Sequence, residues 1–401
     1  MPLRRLLRPI RRAALDASLS GLSPSQSPST GRPMVAGFLS APMGIGAGGA
    51  RLHEGLSALG FAPSSFDLTP IYQKDRSILP WPPEGEKEDD GRGPVLVHVN
   101  APESPHALSA VGKARLRGRF LAGYWAWELP LIPPAWIEAA KRYHEIWVPS
   151  DFTANSLRPA LGDKVKVVGY PIDPPVIDAE TVAAIRQRYL PDPETGFLAL
   201  AAGDARSSMS RKNPGAAIRA FRSAFPDRND VRLLVKTSGL SAASAAVRHR
   251  LDAAIGGDER IILHDDPLPQ AEFDALFAAA DVFVSLHRSE GFGLSIAGAL
   301  LTGTPVIVTG WSGNMDFAEL PGTHAVGFTL VTPQADQAQY NLAGAVWADP
   351  DEGEAATILT GLARPSDAER TTIASAAADH FAPSAWRQRL TPAFLAACER
   401  N

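Results

Sequence analysis

From residue 34 onward, short apolar runs alternate with segments of helical spacing. Met34–Ser40 is apolar and stops at Pro42; a glycine-rich turn follows, then helical spacing over Arg51–Leu59. Val95–Val99, Phe120–Trp127, Glu145–Val148 and Val165–Val168 read as further strands, with a helix from Pro134 to Tyr143 among them. Apolar runs of this kind, without polar alternation, are what a parallel sheet covered on both faces requires. The prolines of Tyr170–Pro175 and Leu190–Gly196 interrupt the series and mark a linker. A second series follows, with strands over Leu198–Ala202, Arg232–Lys236, Arg260–Leu263, Val282–Leu286 and Pro305–Val308. Helices over Pro214–Ala224, Ser241–Ala254, Gln270–Ala279 and Leu294–Leu301 separate them. The fold class expected is α/β, with two Rossmann-like, doubly wound domains facing across a cleft, where the strand C-termini of such sheets receive ligands.

Length supports two domains, because 401 residues exceed what one core organises. The net charge of -4 gives no reason to expect nucleic acid as a partner, and a single cysteine, Cys398, excludes an internal disulfide. No apolar stretch approaches the roughly 20 residues of a membrane span. Residues 1–33 differ: Arg4, Arg5, Arg8, Arg11 and Arg12 lie among leucines, and a Ser/Pro-rich stretch follows. No secretory core is present there. This segment reads as a flexible tail, as a basic amphipathic helix touching anionic lipid, or as a transit-type leader.

Three strand ends carry chemistry. His287-Arg288-Ser289-Glu290-Gly291-Phe292-Gly293-Leu294-Ser295 follows one strand and opens a helix, so Glu290 sits at a strand edge and the next amides at a helix start. Free helix-start amides favour phosphate, whereas a carboxylate suits sugar or ribose hydroxyls. The bland alternative is an ordinary βα turn with a capping Glu. Arg211-Lys212-Asn213-Pro214 lies between a strand and a helix, where paired cations can neutralise a pyrophosphate or simply be solvated. Lys236 ends the run Leu233-Leu234-Val235 and faces the same edge. In the first half, Glu128 follows Tyr124-Trp125-Ala126-Trp127 and can orient acceptor or sugar hydroxyls with Trp127 stacking on a sugar; core aromatics with a helix-start Glu are the alternative. His98 near a strand end carries the same choice between acceptor contact and structure.

The run from Arg288 to Phe317, with Gly303-Thr304-Pro305-Val306 and Ser312-Gly313-Asn314-Met315-Asp316-Phe317, resembles the donor-binding half of the retaining family 4 glycosyltransferases of GT-B fold. Arg211-Lys212-Asn213-Pro214 resembles their donor-phosphate loop. Gly123-Tyr124-Trp125-Ala126-Trp127-Glu128-Leu129-Pro130 and Glu145-Ile146-Trp147-Val148-Pro149-Ser150 resemble the N-terminal half of one branch. The resemblance spans about residues 34 to 390. It implies an acceptor domain over 34–172, a donor domain over 173–380, and a terminal helix over 381–401, around Trp386, that crosses back to the first domain.

In that reading Lys212 contacts the donor diphosphate, Arg211 assists, and Glu290 holds the transferred hexose. Phe292, Gly293, Leu294 and Ser295 offer amides to the phosphates, while Asn314 and Asp316 shape the loop beneath. His264 to Leu268 borders the base, and Gly46, Gly48 and Gly49 approach the phosphates from the other domain. The resemblance further implies a UDP- or GDP-linked sugar as co-substrate, no other cofactor and no metal. It implies a glycan, lipid-linked or small-molecule acceptor. The single cysteine fits a reducing, cytoplasmic compartment, and in the lipid-touching reading the basic segment brings the protein to the inner membrane face. One position departs: the family's second Glu, eight residues after the first, is Gly298 here. A nucleotide- or sugar-binding protein without catalysis is therefore an alternative.

Two rival motifs fail on context. Gly44-Ile45-Gly46-Ala47-Gly48-Gly49 satisfies the dinucleotide fingerprint with Asp67 downstream. However, Ala41-Pro42-Met43 separates it from the strand, and Pro63-Ser64-Ser65-Phe66 is a poor strand before Asp67, which disfavours an NAD-dependent oxidoreductase. Asp349-Pro350-Asp351 has metal-site spacing, but its Pro/Glu-rich surroundings read as a loop beyond the strand edges and a helix-capping turn.

Overall fold

Short strands, buried throughout in the middle of the sheet, make the first sheet. The computed structural model describes residues 15–73 and 79–398. They divide into two compact units: one runs to Trp127 and adds Ile132–Ile172 and the chain from Phe381, the other holds Glu128–Leu131 and Asp173–His380. In the first unit, β1 (Met34–Gly37), β2 (Ser64–Asp67), β3 (Val95–His98), β4 (Leu121–Tyr124), β5 (Glu145–Val148) and β6 (Val165–Val167) form a parallel sheet in the order β2-β1-β3-β4-β5-β6. β1, β3, β4 and β5 are buried at every position, the pattern a doubly covered parallel sheet imposes.

The second unit holds β7 (Phe197–Asp204), β8 (Val231–Ser238), β9 (Ile261–His264), β10 (Val282–Ser285), β11 (Val306–Thr309) and β12 (Thr323–Val326), ordered β12-β11-β10-β7-β8-β9. All its strand pairs are parallel. Strand order reverses between β7 and β10, the position at which open α/β sheets leave a crevice for ligands beyond their strand ends. Helix Pro214–Ala224 follows β7, with Pro214 at its first turn and Ala217, Ile218, Ala220, Phe221 and Ala224 buried, so one apolar stripe fixes the helix on the sheet. A separate antiparallel hairpin pairs β13 (Phe328–Val331) with β14 (Trp347–Pro350).

Four sequence expectations change. Ser64–Asp67 is a strand, paired parallel with β1 at the sheet edge; its polar residues are tolerated because an edge strand has a half-exposed face and Asp67 is satisfied by Ser40 and Thr69. The glycine-rich stretch is helical, since helix Gly44–Ala58 already begins at Gly44. Asp349 and Pro350 lie in β14, not in a loop. Residues 15–33 are packed on the first unit: Leu19 is buried, Ser29 donates its amide to the Gly118 carbonyl at 2.8 Å, and the Ser25 carbonyl meets the His144 ring at 3.0 Å. The expected tail flexibility does not hold for them, and Arg4, Arg5, Arg8, Arg11 and Arg12 lie outside the described residues. Among the described residues no helix is long and apolar enough to cross a membrane.

Candidate functional site

At the switch point of the second sheet, the segments that leave β7 and β10 meet through charged side chains. The first segment places Arg211 and Lys212 in the single helical turn Met209–Lys212; the second places Glu290 after β10. Lys212 Nζ donates to Glu290 Oε1 at 2.6 Å, and Arg211 Nη1 lies 3.3 Å from Glu290 Oε2. Arg211 is 1% exposed and donates to the Ser289 carbonyl at 2.7 Å and to the Ser207 hydroxyl at 2.7 Å. Burial alone would raise the Glu290 pKa, but Lys212 and then Arg211 outweigh it and hold the carboxyl at about 2. Arg211 in turn is held above its ordinary range: burial opposes this and is overcome by Glu128, Tyr340 and Glu290.

Glu128 belongs to this cluster. Its Oε1 lies 3.6 Å from Arg211 Nη2, and Tyr340 donates its hydroxyl to Oε2 at 3.1 Å. Burial pushes the Glu128 pKa up, and Arg211 only partly offsets it. The two carboxyls beside Arg211 are thus driven in opposite directions.

The helix Leu294–Leu301 starts at Gly293, whose φ of +100° is open to glycine and which supplies no side-chain cap. The amides of the first turn, including those of Leu294 and Ser295, therefore have no capping side chain. The loop below them is held from inside. Asn314 accepts from His287 Nε2 at 2.9 Å and donates to the Thr309 carbonyl at 3.1 Å, and Glu290 donates its amide to Ser312 Oγ at 2.8 Å. Phe292 packs its ring against Phe317 at 5.2 Å. Asp316 is half-buried on this loop.

Residues 159–370 match the model of the family described as family 4 glycosyltransferases in conflict systems. This chain belongs to that family. No curated protein matches it. Among solved structures, the fold is similar to Anabaena HepE in complex with UDP and glucose, with a TM-score of 0.61 at 14% identity over 89% of this chain and 97% of that one. A glycosyltransferase of Rickettsia africae gives 0.60 at 13% over 92% and 98%. The UDP-forming trehalose-phosphate synthase of Burkholderia xenovorans gives 0.58 at 14% over 92% and 98%. The fold of this family 4 glycosyltransferase is therefore GT-B, with two Rossmann-like units.

Other expected site residues fall outside the Glu290 cluster. Lys236 is 5% exposed at the end of β8 and donates to the Thr237 carbonyl at 2.6 Å; burial lowers its pKa against the opposing pull of Asp265. His264, one strand further, bonds Tyr189 through Nδ1 at 2.9 Å while its buried Nε2 has no partner. Leu268 is half-buried just beyond. These residues border the same sheet edge but form their own group.

In the first unit, the residues expected at the acceptor and the phosphates are buried. Trp127 is 4% exposed and packs on Trp136 at 4.8 Å, so it offers no face for stacking a sugar. His98 is 1% exposed, stacks on Tyr124 at 4.8 Å and meets the Tyr170 hydroxyl at 2.9 Å. Burial lowers its pKa to about 4. Gly46, Gly48 and Gly49 are also buried: a Cβ on Gly46 would stand 2.1 Å from the Ala41 carbonyl, one on Gly48 2.9 Å from Tyr170, and one on Gly49 2.7 Å from Leu39. Close packing around their helix leaves no room for a side chain at these glycines. Of the Asp349/Asp351 pair, Asp349 binds Arg288 at 2.8 Å and Asp351 caps helix Glu352–Gly361.

Sequence reasoning missed Tyr340. It lies far along the chain from Arg211, in the connection between β13 and β14, and no local motif marks it.

Proposed function

We propose that the chain transfers a hexose from a nucleoside-diphosphate sugar to an acceptor hydroxyl, with retained anomeric configuration and without a metal ion. The observation that carries this reading is the convergence of Arg211, Lys212 and Glu290 at the β7/β10 switch point, beside the uncapped turn at Gly293. Two developing phosphate charges need preorganised donors, and Lys212 together with the Leu294 and Ser295 amides supply them where water is partly excluded. Lys212 is the free-standing end of the set, with 22% of its side chain exposed, so it can exchange Glu290 for a phosphate. Glu290, ionised across the neutral range, then accepts hydrogen bonds from sugar hydroxyls. The bond from the anomeric carbon to phosphate oxygen breaks as the bond to the acceptor oxygen forms on the same face. The acceptor's proton passes to the departing phosphate oxygen.

Gly298 supports a second reading, in which the site binds nucleotide or sugar without turnover. A Cβ there would meet Phe277 at 3.6 Å, an ordinary contact, so packing does not demand the glycine. One assay separates the two: a panel of UDP- and GDP-linked sugars, scored for bound nucleotide and for released diphosphate, with and without EDTA. Diphosphate release that persists in EDTA supports transfer; binding without release supports the second reading; neither binding nor release overturns both.

A further inference from the structure

The cation-bearing segment after β7 is held in an uncommon backbone shape. Ser208 has φ +73° and Asn213 φ +53°, both left-handed and neither a glycine. Such residues persist only where neighbours over-determine them. Asn213 is fixed from β10, its side-chain amide donating to the Leu286 carbonyl at 3.0 Å. Arg288, beyond the same strand, donates its amide to the Arg211 carbonyl at 2.7 Å and its guanidinium to the Ser210 carbonyl at 2.8 Å, and further contacts come from residues 332–346, the long connection between β13 and β14.

That connection closes on itself. Asn341 accepts the Ala335 amide at 2.8 Å and donates to the Ala335 carbonyl at 3.0 Å, which pins both ends of a tight turn. Three side chains leave this turn toward the cation segment. Asp336 accepts the Ser208 hydroxyl and the amides of Met209 at 3.1 Å and Ser210 at 3.3 Å. Gln337 donates to the Arg206 carbonyl at 2.8 Å. Tyr340, 5% exposed, places its ring 5.6 Å from the Arg211 guanidinium and its hydroxyl on Glu128.

We infer that the 335–341 turn is a positioning element that presets Arg211 and Lys212 for a nucleoside diphosphate, with Asp336 and Tyr340 as its positioning residues. Neither residue contacts the ligand; each acts through the cations. The inference rests on the diphosphate reading above. Asp336 holds the first turn of the cation segment, as a capping carboxylate does, and Tyr340 stops the guanidinium from swinging away from Glu290. Without them the segment samples other conformers, and affinity falls by the fraction that remains competent.

The test measures UDP and GDP binding by calorimetry and amide exchange over residues 205–213, in the wild-type chain and in Asp336→Ala, Asp336→Asn, Tyr340→Phe and Tyr340→Ala. Asp336→Ala and Tyr340→Ala are expected to weaken diphosphate binding about tenfold and to speed exchange over 205–213 without changing exchange in β7 or β10. Asp336→Asn, which keeps one acceptor oxygen, and Tyr340→Phe, which keeps the ring, recover part of the loss. Unchanged exchange over 205–213 in Asp336→Ala overturns the positioning role whatever the ligand. Wild-type binding that the alanine variants match overturns it while leaving the diphosphate reading intact; a wild-type chain that binds neither nucleotide removes that reading and this role together.

Discussion

Replacing Lys212 by alanine separates chemistry from stability. In the folded chain Lys212 makes one short bond to Glu290, and Glu290 keeps Arg211 at 3.3 Å when Lys212 is removed. No buried charge is stranded, so the stability loss is that of one partly exposed pair, about 1 kcal/mol. A single preorganised donor aimed at developing oxyanion charge is worth about 3–4 kcal/mol, or a turnover loss of roughly 10²–10³. The activity effect therefore exceeds the stability effect by far. The assay is the initial rate of nucleoside diphosphate release with the accepted donor, alongside urea unfolding followed by circular dichroism. Lys212→Arg should recover only part of the rate, because a planar fork does not reproduce a compact ammonium. A Lys212→Ala enzyme that folds normally and turns over at the wild-type rate would refute this use of the cluster.

Asp281, fully buried, is bound by Arg186 at 3.1 Å and flanked by Arg370 at 3.5 Å and Arg364 at 3.7 Å; Asp281→Ala leaves buried guanidinium charge uncompensated and should cost about 3–5 kcal/mol in urea unfolding. His98, whose pKa is lowered by burial to about 4, binds a proton more readily in the unfolded chain. Its contribution is therefore present above about pH 6.5 and lost as pH falls toward 4, worth on the order of 3 kcal/mol, and His98→Phe should flatten the stability profile in that window. Gly46→Ala should destabilise the first unit by about 1–3 kcal/mol through the clash with the Ala41 carbonyl; a variant of wild-type stability would return Gly46 to a ligand-binding role.

The α/β class was legible because doubly covered strands such as Val95–His98 and Val282–Ser285 are short, β-branched and continuous. The meeting of Arg211, Lys212 and Glu290 was legible for a related reason: each lies in the segment that leaves such a strand, and the topology of parallel sheets gathers strand ends. What was not legible depends on contacts with no local signature. Ser64–Asp67 lacks an apolar face because it lies at an edge and draws its order from β1. Trp127 and His98 look like ligand contacts in sequence, since an aromatic or imidazole at a strand end serves a core and a binding face equally well. The glycines of helix Gly44–Ala58 match a phosphate fingerprint by spacing, and the spacing gives no sign of the close approach of the Ala41 backbone and of the rings of Tyr170 and His98 that the fold brings to them. Tyr340 and Asp336 are distant in sequence from the cations they hold, so only the folded chain reveals them.

The stretch from Thr391 to Cys398 packs against a sheet begun near residue 34. Thr391 donates its hydroxyl to Glu145 at 2.8 Å, Phe394 sets its ring against Trp147 at 4.9 Å, and Gly31 bridges Cys398. During synthesis, β1 to β6 leave the ribosome more than two hundred residues ahead of these partners. The early sheet must wait, with Trp147 and Glu145 uncovered, while the whole intervening unit is made and folds. The nascent first unit thus shows an apolar ring and a carboxylate that chaperones can recognise until the later segment arrives.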